Sequence, residues 1–191
     1  IRSRGIEVKN NSRIGATIEK GIEILNRSIE ELDSKSIVIF EYGGNDCDFN
    51  WENISAAPEG DHSPNTSPSL FISLYKDIIK SIRKTGAHAA LTSLVPLDSE
   101  KYMNWITRNR SYNNILKWLG DKSILYRWQE YYSNLCKDLA KELECDFIDI
   151  RSDFLLSHKY SELLCADGIH PTNAGHILIE NNICSYIDNI A

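Results

Sequence analysis

The sequence has no run of about 18 apolar residues, so it offers no membrane-spanning segment. It has no basic excess either. Its 21 Lys and Arg against 27 Asp and Glu leave a net charge of -6, which argues against nucleic acid and anionic lipid surfaces as partners. Cysteine is sparse and scattered: Cys47, Cys136, Cys145, Cys165 and Cys184 form no C-x-x-C pair. That pattern fits reduced thiols in an intracellular, cytoplasmic protein rather than a disulfide scaffold or a zinc site. The five histidines include no pair at ligand spacing, so neither a metal nor another cofactor is expected. No internal repeat, low-complexity tract or linker interrupts the chain. Methionine occurs once, as Met103, and the sequence begins at Ile1 with IRSRG, which reads as the tail of a helix stopped by Gly5.

What remains is ordinary for a globular fold. With 191 residues, 42% of them apolar, residues 1–191 suffice for a single α/β domain with a full core. Short β-branched runs alternate with helical periodicity. IEVKN at 6–10, IVIF at 37–40, the stretch from His88 to Val95 and CDFIDI at 145–150 read as four strands. Between them, Ile18, Ile22, Leu25, Ile29 and Leu32 step by three or four and predict a helix over 17–32. Ser67-Pro68 reads as an N-cap and N1 proline opening a helix through Ile82 that Gly86 stops. Further helices are expected over 112–119, from Leu125 to Leu143, over about 152–158 and from Thr172 to Ile187. Segments 47–68 and 97–110 are predicted to be long irregular loops. Trp51, Tyr102, Trp105 and Tyr112 lie in or beside them, as a substrate wall or as packing that pins the loops. Strand–helix alternation means parallel strands with helices on both faces, and in such sheets the working site lies beyond the carboxyl ends of the strands.

Three polar clusters fall at that edge. Asn10 to Thr17 follows the first strand, with Gly15 opening the helix, where its N–H can face an anion. Phe40-Glu41-Tyr42-Gly43-Gly44-Asn45-Asp46 ends the second strand with two glycines, an amide donor and a carboxylate; Asp46 is expected to hold the turn. Asp167-Gly168-Ile169-His170-Pro171 precedes the last helix. An Asp and a His three apart can fold so that the carboxylate meets an imidazole N–H, which fixes the tautomer of a general base. Taken singly, each of these clusters is also a plain turn. His62, His88, His158 and His176 read as structural or solvent-facing.

Together, GGND after a strand and DGIHP ahead of the last helix resemble the SGNH hydrolases, the GDSL-like esterase and lipase family, in order, spacing and context. The resemblance implies a flavodoxin-like, three-layer α/β/α open parallel sheet of order 2-1-3-4-5. It implies oxyanion donors at Gly15 and Asn45, a general base at His170 and an orienting carboxylate at Asp167. The family's Gly-Asp-Ser block, which carries the nucleophile, has no counterpart in this sequence. Glu59-Gly60-Asp61-His62-Ser63-Pro64 is only superficially similar, since no strand precedes it, and Ser12 and Ser93 lack the elbow context. The expectation is therefore a segment of roughly 25 to 40 residues upstream of Ile1, carrying Gly-Asp-Ser on a strand between 6–10 and 37–42. The function implied is hydrolysis of a small-molecule ester, such as an acylated sugar, a short acyl ester or a lysolipid. The alternatives are a non-catalytic acyl- or carbohydrate-binding pseudoenzyme and an acyltransferase using the same residues.

Overall fold

The structure, a computed structural model, describes residues 5–190. The helix tail expected at Ile1 to Arg4 lies outside the described residues. Three parallel strands form the sheet: β1 (Ile37–Phe40), β2 (His88–Thr92) and β3 (Asp146–Ile148), in the order β1-β2-β3. Their register pairs Ile39 with Ala90 and Ala90 with Asp146. The period-2 alternation of a strand sorts their side chains between two cores. Phe40, Ala89 and Leu91 face α1 (Ile18–Asn26), α3 (Pro68–Arg83) and the long α6 (Ser123–Glu142), whose Tyr75, Ile79, Tyr132 and Cys136 complete that core. On the other face Ile39, Ala90, Ile148 and Ile150 meet Ile179 and Ile183 of α8 (Asn173–Ile190). Helix, sheet and helix thus form the three expected layers.

Local sequence explains most of these elements. At α3, Ser67 accepts the Leu70 N–H, Pro68 sits in the first turn, and Phe71, Tyr75, Ile78, Ile79 and Ile82 bury one stripe. The helix expected over 17–32 is shorter. It closes at Asn26, and a 3-10 turn over Ile29–Glu31 carries Ile29 and Leu32 back to the core. β1 matches the IVIF run, whereas β2 and β3 are shorter than the expected 88–95 and 145–150.

Two expected loops are helical. Segment 47–68 contains α2 (Trp51–Ala56), capped by the Asn50 side chain, which accepts the Asn53 N–H. Segment 97–110 contains α4 (Ser99–Ile106), where the Asp98 carboxylate accepts the N–H groups of Glu100 and Lys101. With α5 (Tyr112–Leu119), these helices build a second apolar cluster around Trp51, Tyr102, Met103 and Ile115, just beyond the carboxyl end of the sheet. A 3-10 turn over Tyr160–Leu163, also unforeseen, follows the short helix α7 (Ser152–Leu156).

The strand expected at 6–10 does not form. Residues 6–10 are irregular, Val8 is 37% exposed, and Lys9 reaches out to Glu31 at 2.6 Å. The reason is pairing. A strand exists only against a neighbour, and among the described residues β1 pairs with β2 alone. Among the described residues the other edge of β1 is unpaired, and Ile37 is 38% exposed where a parallel strand is ordinarily covered on both faces.

Candidate functional site

The carboxyl end of β1 runs into the GGND turn, and its glycines are there for separate reasons. Gly43 adopts φ +138° and a Cβ there would stand 2.8 Å from Leu94 Cδ1, so both backbone and space demand glycine. At Gly44 a Cβ would meet nothing within 4 Å. This is the open side of the turn, where a ligand can approach the backbone. Tyr75 braces the strand end: its hydroxyl donates to the Tyr42 carbonyl and accepts the Tyr42 N–H.

Asp46 performs the supporting role expected of it, over a longer reach. Its Oδ1 accepts the Ile18 N–H at 3.0 Å and the Thr66 hydroxyl at 2.7 Å, tying the turn to the start of α1 and to the segment before α3. Burial pushes its carboxyl up against the pull of those donors. Beside it, Asn45 is exposed and its Nδ2 donates to the Ala16 carbonyl at 3.2 Å. The side-chain amide has a second N–H. Gly15, in a left-handed conformation at φ +72°, is the residue before Ala16. The two polar segments are therefore brought together. Asn45 and Ala16 line the central cavity; Gly15, exposed in the turn before Ala16, is not among its lining residues.

The last block folds as its spacing suggests. Asp167 Oδ1 accepts the N–H groups of Ile169 and His170, both at 3.0 Å, and Oδ2 meets His170 Nδ1 at 2.9 Å. Partial burial raises the Asp167 carboxyl, but the two backbone donors and the imidazole outweigh it and hold it below its ordinary value. The His170 side chain is 66% exposed, that of Asp167 15%. With Nδ1 turned to the carboxylate, Nε2 is the ring nitrogen left to meet a ligand.

What the sequence does not reveal is the seat of this turn. Gly168 (φ +77°) packs against the first turn of α4, and a Cβ there would lie 2.7 Å from the Asp98 carbonyl oxygen and from Tyr102 N. The Gly168 carbonyl in turn accepts the Asp98 N–H at 2.8 Å. Both contacts are with backbone that cannot yield. Gly168→Ala should therefore cost at least about 2 kcal/mol, from left-handed strain plus overpacking, read as a lower thermal midpoint. An unchanged midpoint would show that the turn is not seated on α4.

Asn45 and His170 line one cavity of about 440 Å³. Glu41, just past the end of β1, lines it and is an exposed residue; the protein beside it still desolvates the carboxyl enough to raise it to about 7, against the opposing pull of His170. An acid whose folded pKa lies above its unfolded one loses stability as pH rises from about 4.5 to 7, because the unfolded chain releases the proton first. Glu41→Gln should thus raise the thermal midpoint relative to the parent at pH 8 and not at pH 4. An equal change at both would contradict this. His176, read as solvent-facing, is exposed and also lines the cavity. No serine lines it. Ser93 is buried between β2 and β3, donating to Asp149 and accepting the Arg151 N–H, and Ser12 and Ser63 are exposed. Trp51 and Tyr102 line the cavity, whereas Trp105 and Tyr112 are partly exposed, Trp105 beneath Arg108.

The fold defines a class: a three-layer α/β protein whose amide donor and oriented histidine gather beyond the carboxyl ends of parallel strands. The sequence matches the model of the GDSL-like Lipase/Acylhydrolase family over residues 2–178, and the chain belongs to that family. The likeness read from GGND and DGIHP is borne out. Among curated proteins no significant match is found. Solved structures share the fold. A lipase/acylhydrolase from Enterococcus faecalis superposes with a TM-score of 0.59 at 18% identity, over 92% of this chain and 72% of that one. A GDSL-like lipase from Bacteroides thetaiotaomicron gives 0.61 at 14%, over 93% and 73%. A catalytic mutant of an acetylxylan esterase from Geobacillus stearothermophilus gives 0.56 at 16%, over 88% and 66%.

Proposed function

We propose that the protein is a carboxylic ester hydrolase in which His170 is the general base, Asp167 orients it, and Asn45 with Gly15 stabilises the oxyanion. The observation that carries this reading is the Asp167–His170 pair, its Nδ1 held at 2.9 Å, set on the same cavity as the Asn45 amide. A base fixed in one tautomer beside a donor that can meet a developing negative charge is the minimum that acyl transfer to water requires. Family membership supports the same reaction class.

The nucleophile in this reading is a serine on a strand that lies along the open edge of β1. Two features support that placement. β1 pairs with β2 alone among the described residues, and Ile37 to Ile39 are left incompletely buried. Such a strand would bring its carboxyl end beside the GGND turn and its hydroxyl toward His170 Nε2. Hydrolysis of a panel of p-nitrophenyl esters by the full-length polypeptide, with and without an added acceptor alcohol, tests the reaction. Release of free acid in the presence of acceptor is expected. Acyl transfer to the acceptor alone would replace hydrolysis by transferase chemistry, and no turnover of any ester would overturn the reading.

A further inference from the structure

The cavity has a second end that the reacting groups do not use. It runs from Asn45 into the cluster built by α2, α4, α5 and the start of α6, where Phe49, Leu97, Leu119, Ile124, Leu125 and Trp128 line it. Several of its polar groups are spent on the protein. Trp51 Nε1 donates to Asp48 Oδ1 at 2.8 Å, Tyr102 Oη donates to the same oxygen at 2.6 Å, and Trp128 Nε1 donates to the Cys47 carbonyl at 2.9 Å. Gln129 is held at both ends, giving its Nε2 hydrogen to the Val95 carbonyl and taking one from Arg151. The aromatic rings pack edge to face on one another, Phe49 against Trp118 at 4.9 Å and Trp51 against Tyr102 at 6.2 Å. A sugar would strand its hydroxyls among these groups, whereas a hydrocarbon chain would only exchange water for carbon.

Resting on the hydrolase reading above, we infer that this aromatic arm binds the acyl chain of the substrate, and that the enzyme acts on esters of unbranched medium-chain acids rather than on acetyl esters of sugars. The direction of the substrate follows from the chemistry. The leaving alcohol oxygen must meet His170, which returns the proton to it, and His170 stands on the exposed side of the cavity. The acyl chain then continues the other way, past Asn45 along the segment Cys47–Asp48–Phe49 and under α5. At about 440 Å³ the whole cavity lies within the range for small-molecule sites, about 300–1,000 Å³.

The test is a ladder of p-nitrophenyl esters from acetate to decanoate on the full-length polypeptide. A second ladder of acetate esters varies the alcohol from ethyl to octyl. In the acyl ladder kcat/KM should rise about 4-fold per added methylene until the arm is full, while the alcohol ladder stays nearly flat. Ile124→Trp, which fills the arm, should lower the decanoate-to-acetate ratio at least about 10-fold, and Ile124→Ala, which cannot overpack, should move the plateau to longer chains. Binding is read separately in His170→Ala through tryptophan fluorescence, where decanoate should bind and acetate should not. Ester turnover with a flat or acetate-led acyl ladder, or a rising alcohol ladder, would overturn the acyl-chain assignment and leave the hydrolase reading intact. Graded binding of the alkyl carboxylates with no turnover of any ester would do the reverse.

Discussion

His170→Ala in the full-length enzyme is expected to lower ester hydrolysis by at least about 10³-fold without unfolding the protein. The size follows from the role. A serine hydroxyl is a poor nucleophile unless its proton is taken as it attacks, and removing one member of such a unit costs nearly as much as removing all of them. The fold should survive because the ring contributes little to packing: the side chain is 66% exposed. Asp167 keeps its two backbone donors from Ile169 and His170 in the variant, so the turn has no reason to collapse. Initial rates on a p-nitrophenyl ester, beside a thermal midpoint for each protein, decide the matter. Near-parental turnover would remove His170 from the chemistry.

Asn45→Ala is expected to lower kcat by roughly 10² to 10³ and leave KM little changed. The side-chain amide gives Ala16 one hydrogen bond at 3.2 Å and has a second N–H for a ligand. A donor aimed at an oxygen that becomes negative only in the transition state acts on kcat, because the ground-state carbonyl gains little from it. The turn should keep its shape in the variant. It is held by Asp46 on Ile18 and Thr66, and by Asn65 Nδ2 donating to the Asn45 backbone carbonyl at 2.8 Å, none of which needs the Asn45 side chain. Steady-state kinetics that show a raised KM with kcat preserved would make Asn45 a ground-state binder instead.

The family and the layered α/β fold were legible in the sequence, and so was the turn that carries Asp167 and His170. DGIHP is local: the Asp167 carboxylate makes its hydrogen bonds to Ile169 and His170, so spacing alone foretells that geometry, whereas the Asn45 amide and the Asp46 carboxylate of GGND reach Ala16, Ile18 and Thr66, 20 or more residues away. The capping of α3 by Ser67 and Pro68 is local in the same sense as DGIHP. The helices α2 and α4 were missed for a different reason. Each spans eight residues or fewer, too short for a periodic stripe to stand out, and the prolines of 47–68 suggested a loop. The Asn50 and Asp98 caps were the available signals. The seating of Gly168 on α4 joins residues 66 to 70 apart in sequence, and nothing in either segment announces the other. Segment 6–10 shows the opposite error. Its composition suits a strand, but strand formation depends on a partner that local propensity cannot supply.

Covalent trapping asks directly whether His170 serves a serine nucleophile. The full-length polypeptide is treated with an alkyl fluorophosphonate, and the adduct is located by mass spectrometry of its peptides. One phosphonylated serine is expected, set in a Gly-Asp-Ser sequence outside residues 5–190. Ester turnover should be lost in step with labelling, and labelling should be at least about 10²-fold slower in His170→Ala. An active esterase that takes up no label, or one labelled at a serine within residues 5–190, would contradict this expectation.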